Sequence, residues 1–134
     1  MSGERDLGRL LAGLDPWRAP DPYVFAIAPD RVVPPDVRPF ATVDEDEGLT
    51  LVVTQQDADR LGLAYDYVAA RITLRVHSDP AAVGMTAAFS RALADAGLSC
   101  NVIAGFFHDH LLVPWERADE AVALLRALPG GSEP

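Results

Sequence analysis

Apolar and polar residues alternate from Arg71 to His77, with Ile72, Leu74 and Val76 on one side and Arg71, Thr73, Arg75 and His77 on the other. That pattern predicts a strand with one buried face. Beyond Ser78-Asp79-Pro80 the period changes. Met85, Phe89, Ala92, Leu93 and Ala96 recur at helical spacing with Arg91 and Asp95 opposite, and Gly97 stands where a left-handed residue ends a helix. Cys100 to Phe107 is apolar on both faces, His108-Asp109-His110 reads as a turn, and Leu111 to Val113 as its hairpin partner. Ala118, Ala121, Val122, Leu125 and Leu128 mark a second helix. The order strand, helix, strand, strand, helix predicts an α+β, ferredoxin-like half-sandwich with both helices on one sheet face.

The first half repeats this order in shortened form. Leu7, Leu10, Leu11 and Leu14 have helical spacing over a short segment. Pro16, Pro20 and Pro22 punctuate a loop, and Tyr23 to Ala28 reads as a short strand. Four prolines between Pro29 and Pro39 exclude a helix there. Phe40 to Val43 and Leu49 to Val53 form a hairpin around the acidic turn Asp44 to Gly48. Thr54-Gln55-Gln56-Asp57 has the residue types of a capping box, opening a helix that buries Ala58 and Leu61 and ends at Gly62. Tyr65-Asp66-Tyr67 then leads into the central strand.

At a shift of 60 residues Leu51, Val53, Ala58 and Asp59 meet Leu111, Val113, Ala118 and Asp119, and both segments are a hairpin followed by a helix. We read two tandem units, residues 1–64 and 65–134, the first abbreviated. Pro129-Gly130-Gly131 ends the pattern before the second unit has a last strand. An N-terminal strand is expected to fill that edge, because an open apolar edge invites aggregation, so the units share strands.

These residues carry a resemblance. The run Asp79-Pro80-Ala81-Ala82-Val83-Gly84, with Phe89 to Ile103 after it, resembles the loop, helix and strand of ACT domains, the small regulatory domains of aspartokinases and other enzymes of amino-acid metabolism. The stretches Val76 to Ser90 and Ser99 to Pro114 resemble more closely a family of short, stand-alone bacterial ACT-like proteins, with further likeness at Pro22 to Phe25 and Glu47 to Val53. The resemblance implies a βαββαβ fold and makes Asp6 to Leu14 an edge strand instead of a helix.

Charge and composition narrow the function. A net charge of −9 repels nucleic acid, and no apolar run approaches a membrane span. Met1 to Leu14 is charged throughout, so a signal peptide is not expected. The single cysteine, Cys100, fits a cytoplasmic protein without disulfides. It reads as a small buried hydrophobe, not a nucleophile. His108-Asp109-His110 could begin a zinc site, but no fourth ligand is evident, and turn chemistry is the plainer reading. Neither a phosphate loop nor a nucleophile elbow is present, so we expect no enzyme, no cofactor and no metal.

The loop into the first long helix is different. Unpaired N–H groups and the helix dipole suit a carboxylate there, and Gly84 removes a side chain from the approach, although it could equally serve close helix–strand packing. By the resemblance, an effector lies between that loop and the start of the next strand. Those positions are Ser78, Asp79, Pro80, Ala81, Ala82, Val83, Gly84 and Met85, with Ser99, Cys100, Asn101, Val102 and Ile103. Where the aspartokinase-like pattern is Ile-Asn-Ile-Asp, this chain has Leu98-Ser99-Cys100-Asn101, so an acidic partner for a ligand's ammonium is missing. The resemblance implies a non-catalytic regulatory module that binds a small amino acid or related carboxylate and forms a homodimer. The alternative is an interaction module of the same fold without a ligand.

Overall fold

The computed structural model describes residues 14–75 and 84–128. Nine regular elements follow one another within them: β1 (Pro16–Ile27), β2 (Ala41–Asp44), β3 (Leu49–Thr54), α1 (Gln55–Leu61), β4 (Val68–Leu74), α2 (Met85–Asp95), β5 (Asn101–Ala104), β6 (Asp109–Pro114) and α3 (Ala118–Arg126). The strands form one antiparallel sheet in the order β2-β3-β1-β4-β6-β5.

That order is two ferredoxin-like units that exchange strands. Strands β1, β2 and β3 are completed by β4, while β4, β5 and β6 are completed by β1. Each unit lends the other its first strand as a last one. The register repeats too: Val24 faces Val53 in β1–β3, as Ala70 faces Val113 in β4–β6. The expected N-terminal strand thus fills the open edge of the second unit, through Pro16↔Leu74, Trp17↔Thr73 and Arg18↔Ile72.

The prolines at 16, 20 and 22 do not make a loop as expected. Pro16 opens a twelve-residue strand, and the register slips between Arg18 and Pro22, leaving Pro20 in a bulge where no ladder N–H is required. Pro29 to Pro39 holds no α-helix, only one 3₁₀ turn at Pro29–Arg31. Val33 and Val37 from this stretch, with Ala28 just before it, pack where the missing helix would lie, over Leu51, Val53 and Ala58.

Helices α2 and α3 cover one face of β4 and β6. Met85, Phe89 and Leu93 of α2 and Ala118, Ala121 and Leu125 of α3 meet Ala70, Ile72, Leu74, Leu111 and Val113. Gly97, at φ 76°, closes α2 with its N–H on the Ala94 carbonyl, while Leu98 N–H bonds Leu93. Thr54 caps α1 by accepting the Asp57 N–H at 3.2 Å, and Gly62 ends it at φ 69°.

Two local expectations change. The second hairpin turns at Gly105–His108, closed by Gly105 N–H on the His108 carbonyl at 2.9 Å, which places Asp109 and His110 inside β6. Strand β4 is buried on both faces, not one: Ala69 and Thr73 are as enclosed as Ile72 and Leu74. Val76 and His77 lie outside the described residues, as does the segment from Asp6 to Gly13.

The fragment Tyr65–Pro134 lacks β1 and keeps an exposed β4 edge. Expressed alone, it is expected to be insoluble or to unfold without cooperativity in urea. A soluble fragment with a sharp transition would show that the second unit stands by itself.

Candidate functional site

Of the positions expected to hold an effector, Ser78 to Val83 lie outside the described residues. Gly84 caps α2 at φ 97°, a conformation that side chains rarely adopt, and Met85 is buried beneath the helix. A larger residue at 84 would therefore strain the backbone before it blocked any ligand. The other arm of the site divides between the sheet faces. Asn101 and Ile103 are registered with Leu112 and His110 on the helix-free face, whereas Val102 lies on the helix side with Leu111. Cys100 packs half-buried against the core, and burial pushes its thiol up to about 11. It is a thiol, not a thiolate, at neutral pH.

Among the described residues, the end of β4 and the start of β5 lie apart along the sheet. The chain leaves β4 after Leu74, in register with Asp109 and Ala104, while Asn101 is in register with Leu112 and Arg71. Three residue steps, about 10 Å along the strand, separate those levels. The α2 N-terminus and the start of β5 sit at opposite ends of the sheet. Strand β5 is itself an edge, with Asn101, Val102 and Ala104 exposed.

A second concentration of chemistry lies on the helix-free face. Phe40 precedes edge strand β2, yet its ring is 5.0 Å from that of His110 on β6. Four strand spacings on a flat sheet would be about 19 Å, more than two side chains can span. The sheet therefore curls toward this face into a trough floored by Val52, Ala69 and Leu112. In the trough the guanidinium carbon of Arg71 lies 4.4, 5.2 and 5.6 Å from the ring centroids of Phe40, Tyr23 and Trp17. Its Nη1 donates to Thr73 Oγ1 at 3.1 Å and its Nη2 reaches Tyr23 Oη at 3.5 Å, but the buried Nε–H has no partner. Thr73 Oγ1 is 2.8 Å from His110 Nδ1. The direction of that bond follows the His110 tautomer: the hydroxyl that accepts from Arg71 can donate to Nδ1 or accept a second bond from an Nδ1–H. Burial, then the charge of Arg71, hold the His110 pKa below the usual histidine value.

Among the described residues no group of three or more His, Cys, Asp or Glu side chains is arranged to hold a metal ion. None of their helices is long and apolar enough to cross a membrane.

Two family models, each described as an ACT domain, match residues 2–70 and 70–127. The chain belongs to the ACT-domain family. A Vibrio cholerae protein of unknown function is 41% identical, with a TM-score of 0.79 over 90% of this chain and 94% of that one. A protein from Agrobacterium tumefaciens is 19% identical, with a TM-score of 0.69 over 84% and 86%. The ligand-free regulatory subunit of aspartate kinase from Thermus thermophilus is 9% identical, with a TM-score of 0.62 over 84% and 95%. The last two likenesses are of fold alone. No curated protein matches the chain.

In this ACT-domain protein the sequence pattern missed the trough because alternation assigned Arg71 and Thr73 to solvent. The available signal was aromatic. Trp17, Tyr23 and Phe40 have no place on the helix-covered side, and in a curled sheet they meet over the one arginine of the central strand.

The His110 shift has a pH consequence. Its folded pKa is below its unfolded one, so the unfolded chain takes up the proton first, and stability falls as pH drops below the ordinary value of 6.5. Urea midpoints measured on either side of that value should fall with pH less in His110→Gln than in the wild type. Equal slopes would remove His110 from the account.

Proposed function

We propose that this ACT-domain protein is a non-catalytic, cytoplasmic regulatory module that binds a small amino acid or related carboxylate between two copies of itself. The observation that supports it most is the register of the sheet, in which the end of β4 and the start of β5 stand three residue levels apart beside an exposed edge strand. Antiparallel pairing of β5 with its copy about a two-fold axis would set the α2 N-terminus of one chain beside Ser99 to Asn101 of the other. Such pairing would also satisfy an open strand edge. Gly84 then serves the site through its backbone conformation, by turning the chain into the helix.

The turn beside that edge favours the same association. Phe106 and Phe107 are 95% and 74% exposed, and their rings stack edge-on at 5.0 Å. Two adjacent phenylalanines in water form an apolar knob that a partner would cover. This knob needs no ligand, and it supports the second reading: an association module of ACT fold that has no effector.

Light scattering and a thermal-shift screen against the amino acids separate the readings. The wild type is expected to be a dimer, and Phe106→Ser with Phe107→Ser a monomer. An effector at 100 times its dissociation constant would add about 2.7 kcal/mol to wild-type stability and less to the double variant. A dimer that no amino acid or small carboxylate stabilises leaves the second reading. A wild type that stays monomeric at high micromolar concentration contradicts both.

A further inference from the structure

We propose that the trough around Arg71 is a second anion site, separate from the β5 edge, which takes the carboxylate of a small monocarboxylic acid with an apolar or aromatic body. Charge argues for the carboxylate. The chain carries a net −9, and Arg18, Arg31, Arg60, Arg75 and Arg117 each pair with an aspartate or glutamate. Arg71 is the one arginine among the described residues that is withdrawn from solvent without a carboxylate partner. Its surroundings are rings and a threonine hydroxyl, while the acids of this acidic chain sit elsewhere.

The donors that remain show how an anion would be held. Nη1 is committed to Thr73. Nε has no acceptor, and Nη2 has only Tyr23 Oη at the limit of hydrogen-bond length. Those two groups form the side-on edge of the guanidinium, whose paired N–H bonds match the two oxygens of a carboxylate. A buried donor left unpaired is costly, and a carboxylate on this edge would satisfy both groups at once. Thr73, only 5% exposed, fixes the other side of the guanidinium, and His110 orders Thr73 in turn. The body of the acid would lie among the rings of Trp17, Tyr23 and Phe40, apolar surroundings with few polar groups, as small-molecule sites usually have. Phe40 now lies nearest to the guanidinium, so entry moves its ring aside.

The two tryptophans make this testable on the intact protein. Trp17 lines the trough, whereas Trp115 packs under Arg18 on the helix side. In nitrogen-15 NMR spectra, phenylacetate in the millimolar range should shift the Trp17 indole signal saturably and leave Trp115 in place. Phenethylamine, with the charge reversed, should move neither. Arg71→Gln should weaken phenylacetate at least about tenfold, and Arg71→Lys, which keeps the charge but loses the fork, should also weaken it. If one variant fails to fold, the other carries the comparison. Three results would overturn the proposal: a Trp17 signal indifferent to phenylacetate, equal affinity in the wild type and a folded Arg71 variant, or Trp17 shifts that follow protein concentration alone, which would give the trough to a second copy. A probe that moves the Gly84 and Asn101 amides but not Trp17 would favour the β5-edge site and contradict this one.

Discussion

The antiparallel pairing of β1 with β4 is the contact on which the rest of the structure depends. Each of these strands begins one unit and ends the other, so neither unit has a complete sheet without the other's first strand. The two apolar clusters on the helix side, one under α2 and α3 and one under α1, are joined through this pair. It also sets the trough, since Trp17 and Tyr23 are registered against Thr73 and Ala69 and flank the bulge opposite Arg71. Two copies of one motif form a single body because their edges could not both be left open.

The two faces of the sheet then take different roles. The helix side is apolar, with Phe89, Leu93, Leu111 and Leu125 fully enclosed. The opposite face has no helices and is enclosed by curvature and aromatic rings, with a guanidinium among them. Packing alone does not call for an arginine there. Cation–π contacts with three rings offset part of its desolvation, each by about 0.5–2 kcal/mol, yet its Nε–H remains without an acceptor. The edge of the sheet adds a third character: a strand with open hydrogen-bonding groups beside a pair of exposed phenylalanines.

How much of this was legible follows from which forces are local. Helix α2 was visible in Met85, Phe89 and Leu93 and in the stop at Gly97, because period and capping chemistry lie in neighbouring residues. The capping Thr54 and the left-handed Gly62 were visible for the same reason. The need for an N-terminal strand was legible as a missing edge, but its start at Pro16 was not, since a bulge makes prolines compatible with a strand only where a partner slips register. The hairpin turn was placed at His108 to His110 because turn-forming residue types outweighed Phe106 and Phe107, which in sequence look like core. The trough was hidden altogether. Sheet curvature is a property of six strands together, and it turned a face expected to meet water into an interior. The separation of the end of β4 from the start of β5 was hidden likewise, because it depends on β5 running parallel to β4 with β6 between them.

Native-state hydrogen exchange tests the exchange of strands most directly. If β1 and β4 bind the two units into one body, core amides of β3 and of β6 should exchange through the same opening, with one free energy and one denaturant dependence shared with the β1–β4 ladder. Two separate free energies, with β3 opening while β6 stays protected or the reverse, would contradict it.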